Sequence, residues 1–339
     1  MKTGKMIFVL AATFLLTATN VLSEPVTLRL ADQFPLTHFA SKTGSQAFIK
    51  KVAEMSNNTI TIKHFPAQQL AKASGMLDAV KNQVADITVC GVVYVSDRMP
   101  LSGAAMLPGL FNDVTTGTIA YTKLANNELL EAEFLRHGVR PLWVSLAPVY
   151  QLQLTSKESI TSIGDIKGKK LRTAGAIMEL TAKALGATPV TIGPSDFYLS
   201  LQRGTVDGAI YTIPGWRAYS LHEVLNSSTT NAGLGSVAFA TLINEDVWKG
   251  LSPEVQSILQ KAGESTGMGA AAIFDNVVAK SNSKMQEAGK NVYALSPELL
   301  KDMNAKLSVV ENTWLDQMKS RNLPGEKILT AFKRYLNEQ

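Results

Sequence analysis

The chain has 339 residues, 45% of them hydrophobic and 18% charged, with a formal net charge of +5. That length can bury one large core or two smaller ones, and the scattered lysines, with no run of about five like charges, argue against a nucleic-acid partner. The single cysteine, Cys90, excludes an internal disulfide and sits in the apolar run Ile87–Gly91, where a buried, inert thiol is expected.

The first residues read as an export signal. Lys2 and Lys5 precede the apolar stretch Met6–Leu16, and Val21-Leu22-Ser23 offers a cleavage site before Glu24. Cleavage after Ser23 removes two lysines and no acids and lowers the formal charge to +3. No later segment reaches about 18 uninterrupted apolar residues, so a soluble exported chain is expected.

Val26–Ala31 alternates apolar and polar residues as a strand does, and Phe39–Ser56 carries Phe39, Phe48, Val52 and Met55 at helical spacing. Thr59–Phe65 alternates again, Gly75–Gln83 is helical and Asp86–Gly91 reads as a buried strand, so the region predicts an α/β layer with parallel neighbours. Strands are expected at Leu142–Leu146, Gln151–Thr155 and Lys169–Thr173, the last entered through the turn Asp165–Gly168, with a helix over Ser195–Gln202. These belong to a second α/β unit, about Gln151–Ile213, and Val237–Asn244 forms a further apolar strand. Ser252-Pro253-Glu254 and Ser296-Pro297-Glu298 each open a long helix with a cap, a first-turn proline and an acid. Those helices run to about Gly289 and Arg321, and Asn322–Gly325 precedes a last short helix. No Pro- or Ser-rich linker divides the two units, which predicts two lobes joined by several chain crossings, with a cleft between them.

Chemical equipment is sparse. His38, His64, His137 and His222 stand at no ligand spacing, and no metal, nucleophile-elbow, Walker or dinucleotide motif is present. Neither a metal nor a cofactor is expected. Arg172 stands out, because Leu171-Arg172-Thr173-Ala174-Gly175 places it where a strand gives way to a helix. Such ends face the ligand in open α/β sheets, and a guanidinium fixed there can hold a carboxylate through two parallel hydrogen bonds. Tyr150, Phe197, Tyr198, Tyr211, Trp216 and Tyr219 gather in the same unit. Core packing accounts for most such aromatics, but Trp216 beside Gly215 reads as a pocket wall.

Taken in order, Leu28–Phe34, Phe65–Leu70, Gly75–Val80, Ile166–Arg172, Leu185–Val190, Tyr198–Gln202 and Gly204–Ala209 resemble the solute-binding proteins of tripartite ATP-independent periplasmic (TRAP) transporters, the C4-dicarboxylate-binding or DctP-like family. The resemblance covers essentially the whole mature chain. It implies a two-lobed periplasmic binding protein-like α/β fold with hinge strands and a long helix crossing both lobes. The implied boundaries are residues 24–149 for most of lobe 1, 150–236 for most of lobe 2, and 237–339 for a crossing strand and C-terminal helices. It further implies a periplasmic monomer, not an enzyme, that closes on an organic acid and delivers it to the large and small subunits of a membrane permease. Arg172 falls on the family's carboxylate-binding arginine. Three departures point away from dicarboxylates and sialate: Tyr211 where an Asn is common, Leu152 where a second Arg is often found, and Gly91 where sialate binders carry a Glu. One cation beside Tyr150, Tyr211 and Trp216 suits a monocarboxylate with an apolar or aromatic body, such as an aromatic 2-hydroxy or 2-oxo acid or a branched hydroxy acid, and Gln33, Tyr94, Asp196 and Phe197 are further candidates by position. A sensing subunit for a receptor kinase would use the same closing lobes. An exported enzyme acting on small acids lacks any nucleophile–base or metal frame in this sequence.

Overall fold

The computed structural model describes residues 25–338; the expected leader and its cleavage after Ser23 lie outside them. Strand β1 (Val26–Asp32) pairs in parallel with β2 (Ile60–Phe65) and β3 (Ile87–Gly91). In β2 the side chains of Ile60 and Ile62 turn inward while Thr61 and Lys63 face water, which is the pleat imposing its period on the sequence. All of β3 is buried, in keeping with a central strand covered on both faces. Between these strands lie α1 (Gln46–Met55), entered through a π-helical stretch over Ser41–Ser45, and α2 (Met76–Lys81).

A helix not anticipated from the sequence, α3 (Val114–Asn126), follows, with the Asp113 carboxylate accepting from Thr116 N at 2.7 Å as its cap. Strand β4 (Val139–Leu146) closes one side of the first sheet, and β5 (Gln151–Leu154) begins the second. The second sheet adds β6 (Lys170–Thr173), α4 (Ala176–Ala184), β7 (Thr188–Thr191), α5 (Phe197–Gln202), β8 (Gly208–Tyr211) and β9 (Ser227–Thr229). The chain then returns to the first sheet as β10 (Ala238–Asn244), which inserts antiparallel between β3 and β4. The expectation of parallel neighbours therefore holds for β1–β3 and not for the whole sheet.

After the short α6 (Glu245–Gly250) comes α7 (Pro253–Glu287), 35 residues long and capped by Ser252 Oγ accepting from Val255 N. At 1.5 Å per residue it spans about 50 Å, enough to lie on β4 of the first sheet and reach β11 (Asn291–Tyr293) in the second. Gly263 lets it lie close, since a Cβ there would stand 2.4 Å from Leu142 O. The chain ends in α8 (Pro297–Ser320), capped by Ser296, and α9 (Gly325–Asn337), which packs on α3.

The sheet orders are β2-β1-β3-β10-β4 and β11-β9-β5-β8-β6-β7. One apolar cluster runs from Met76 and Leu101 in the first lobe through Leu146 and Leu152 to Leu171 and Ile210 in the second, so the lobes share packed surface. Cys90 lies in that cluster, and burial pushes its thiol up to about 12, which keeps it protonated and unreactive. Among the described residues no helix is long and apolar enough to cross a membrane.

Candidate functional site

Arg172 occupies the third position of β6, paired in register with Val190 of β7 and Ala209 of β8. Its side chain leaves the sheet into the space between the lobes yet is only 1% exposed. Nε donates to Ile192 O at 2.9 Å, and Ile192 is itself held by its N–H to Thr173 O. From the other lobe Tyr94, just beyond β3, accepts from Nη2 at 3.3 Å. The guanidinium lies over the Phe197 ring at 4.4 Å and stands 6.0 Å from the Tyr211 ring. Among the described residues it has no carboxylate partner, and two of its five N–H groups are taken by Ile192 and Tyr94. A buried cation with unspent donors is costly unless an anion completes it.

The cavity it faces takes in about 450 Å³ of space between the lobes, counting the part open at its mouth. Lobe 2 contributes Arg172, Phe197 and Tyr211, and lobe 1 contributes Gln33, His38 and Tyr94. Tyr150 stands edge-on to Tyr211 at 5.7 Å, and Phe197 meets Tyr211 likewise at 5.1 Å. Gly215 makes room for this wall, since a Cβ there would strike the Tyr211 hydroxyl. Burial pushes the phenols of Tyr150 and Tyr211 well above their usual range, so both stay neutral. The walls thus add aromatic surface and hydroxyls but no negative charge, an electrostatic setting that selects an anion.

Six of the eight candidate ligand-binding residues meet here: Gln33, Tyr94, Tyr150, Arg172, Phe197 and Tyr211. Two do not. Trp216 is fully buried behind the wall, where its indole N–H donates to Gln153 Oε1 at 2.6 Å, so it is a packed core residue. Asp196 is exposed, with Ser195 Oγ donating to its carboxylate at 3.1 Å, and it is not among the residues that line the cavity. The sequence reading missed Phe34, His38 and Phe239, which complete the lobe-1 wall. His38 had a local signal, a lone imidazole among Phe34, Pro35, Leu36 and Phe39 at the end of a strand. At Gly91 an added Cβ would meet Tyr94 Cδ2 at 2.9 Å and Gln33 Nε2 at 3.0 Å, so an acidic side chain there would displace two cavity residues.

A larger groove of about 820 Å³ lies on the other side of Tyr94, between α4 and α8. Its cation, Arg321, is exposed and donates through Nη2 to Asp97 O at 2.6 Å, so it carries no comparable unmet charge. Among the described residues no group of three or more His, Cys, Asp or Glu side chains is placed to hold a metal ion.

The family model described as "bacterial extracellular solute-binding protein, family 7" (DctP) matches residues 36–317. The ectoine-binding periplasmic protein TeaA of Halomonas elongata is 26% identical over 258 residues, 75% of this chain and 72% of that protein. A TRAP periplasmic solute-binding protein of Bordetella bronchiseptica, solved with bound (R)- and (S)-mandelate, superposes with a TM-score of 0.83 at 25% identity, covering 93% of this chain and 99% of that one. A marine-metagenome TRAP solute-binding protein specific for aromatic acids, solved with 3-hydroxybenzoate, superposes with a TM-score of 0.87 at 23% identity over 93% and 99% of the two chains.

Proposed function

The chain belongs to family 7 of the bacterial extracellular solute-binding proteins, and on that premise we propose that it is an extracytoplasmic receptor for a small organic acid, a monocarboxylate with an apolar or aromatic body. Arg172 takes the carboxylate through its unspent N–H groups, and Tyr150, Phe197 and Tyr211 cover the apolar body. One observation carries this reading: a guanidinium 1% exposed, without a carboxylate partner among the described residues, opening on an aromatic-walled cavity between two lobes. The mandelate and 3-hydroxybenzoate bound by the two similar structures have the same combination of one carboxylate and one ring. A single cation with neutral phenols suits one carboxylate better than two. The loaded, closed receptor then delivers its acid to the membrane subunits of a TRAP permease, large and small.

Contacts made only when both lobes meet the ligand shift the hinge equilibrium toward closure. The decisive experiment is calorimetry with mandelate and benzoate on the native protein and on Arg172→Ala. Removing the guanidinium should cost at least about 2 kcal/mol, as for other desolvated charge pairs that lose one partner, which is roughly a 30-fold loss of affinity. Arg172→Lys should recover only part of it, because an ammonium lacks the planar fork. Unchanged affinity in a folded Arg172→Ala protein would remove the site from the reading.

A further inference from the structure

We infer that the ligand carries a hydroxyl group besides its carboxylate, and that His38 and Gln33 of lobe 1 read that hydroxyl while Arg172 of lobe 2 reads the acid. This rests on the organic-acid reading above and deepens it.

His38 is 2% exposed and lines the cavity. Ala40 N–H donates to its Nδ1 at 3.1 Å, so Nδ1 bears a lone pair and the ring proton sits on Nε2. Burial pushes the imidazole down to about 3, which leaves it neutral, with one N–H to give. That Nε2 is buried and has no hydrogen-bond partner among the described residues. The ring cannot easily turn to find one, because Phe34 stacks on it at 4.3 Å and Phe39 and Tyr219 stand at 4.5 and 5.4 Å.

Gln33 is 1% exposed, and its Oε1 is likewise buried with no hydrogen-bond partner among the described residues. Two residues that line the cavity from one lobe therefore carry an unmet donor and an unmet acceptor among the described residues. Buried polar groups are rarely left unpaired in a finished site. A hydroxyl both accepts and donates, so one such group can serve both. A carbonyl or ether would answer His38 alone, and a second carboxylate would set negative charge against Gln33 Oε1 with no second guanidinium lining the cavity. A site built to bond a hydroxyl rejects the analogue lacking it far more strongly than an apolar pocket does. The consequence for closure is direct, since the acid end and the hydroxyl end are held by opposite lobes.

Two matched pairs test this by calorimetry on the full mature protein: phenylacetate against mandelate, and benzoate against 3-hydroxybenzoate. The expected result is at least a tenfold preference for the hydroxylated acid in one pair. His38→Phe, which fills the ring's place without the donor, should shrink that preference at least fivefold, and His38→Gln, which keeps an N–H within reach, should retain it. Gln33→Met reads the same ratio from the acceptor side and serves if His38→Phe does not fold. A preference below tenfold in both pairs, with the acids still bound, overturns the hydroxyl subsite and leaves the receptor standing. A preference that survives both His38→Phe and Gln33→Met overturns it as well. Failure of all four acids to bind the native protein overturns the organic-acid reading and this inference with it.

Discussion

Glu133 has its carboxylate buried beneath the turn Leu101–Met106, where Leu101 N donates at 2.6 Å, Ser102 N at 3.0 Å and the Ser102 hydroxyl also donates. Burial drives the group toward its protonated form, while those donors and Arg321 favour the anion; burial wins and lifts the group from 4.5 to about 7. Between those values the folded chain holds a proton that the unfolded chain has released. The contribution of Glu133 to stability is therefore complete below about 4.5 and is lost as pH rises through about 7. Glu133→Gln cannot titrate and serves as the reference. Melting temperatures of the two proteins followed from pH 4 to 8 should show the native chain losing stability relative to the variant as pH rises. The opposite slope would mean that the hydrogen bonds outweigh burial, and a flat difference would mean that the group does not change charge on folding.

At the scale of elements, α7 makes opposite demands on two of its glycines. An alanine methyl at Gly263 would stand 2.4 Å from Leu142 O on β4, whereas at Gly269 the nearest atom is Lys51 Nζ at 3.9 Å. Gly263→Ala should destabilise by about 1–3 kcal/mol, as overpacking a tight contact does. Gly269→Ala should stabilise by roughly 0.5–1 kcal/mol through helix propensity and a less free unfolded chain. Urea denaturation of both reads the two signs directly, and equal effects would show that α7 does not rest on β4 through Gly263. The start of this helix was legible because Ser252-Pro253 is a local signal, as were the alternating strands β1 and β2. By contrast, α3 opens Val114-Thr115-Thr116-Gly117, residues of low helix propensity, and only the Asp113 cap marks it. The antiparallel insertion of β10 is invisible locally, because strand direction is set by where the chain returns from. Arg172 could be found from its strand-end setting and the motifs around it. His38, Phe34 and Phe239 could not be joined to it, since they lie far away in sequence and meet only across the lobes. Trp216 misled for a related reason: the partner that makes it a core residue, Gln153, sits 63 positions away on strand β5.

For the whole molecule, one close approach between the lobes is Gly175 against Val93. Val93 lies in the turn Val92–Val95 after β3 of the first lobe, and Gly175 caps α4 in the second. A Cβ at Gly175 would stand 2.0 Å from Val93 O. The residue's φ of 168° is extended backbone open to any amino acid, so the obstacle is that carbonyl and not strain in the turn itself. Gly175→Ala therefore holds apart the two turns that flank the Tyr94–Arg172 hydrogen bond, while leaving each lobe's own sheet intact. Closure around a ligand needs contacts from both lobes at once, and a wedge at this point raises the free energy of the closed form alone. Mandelate binding should weaken at least tenfold in Gly175→Ala, and the contraction that saturating mandelate causes in the native protein, followed by small-angle X-ray scattering, should be reduced by more than half. The unliganded variant should melt within a few degrees of the native protein, which separates a closure defect from a folding defect. A variant that contracts and binds as the native chain does would show that the lobes close without bringing Gly175 against Val93, and that the grip on the acid is built from one lobe.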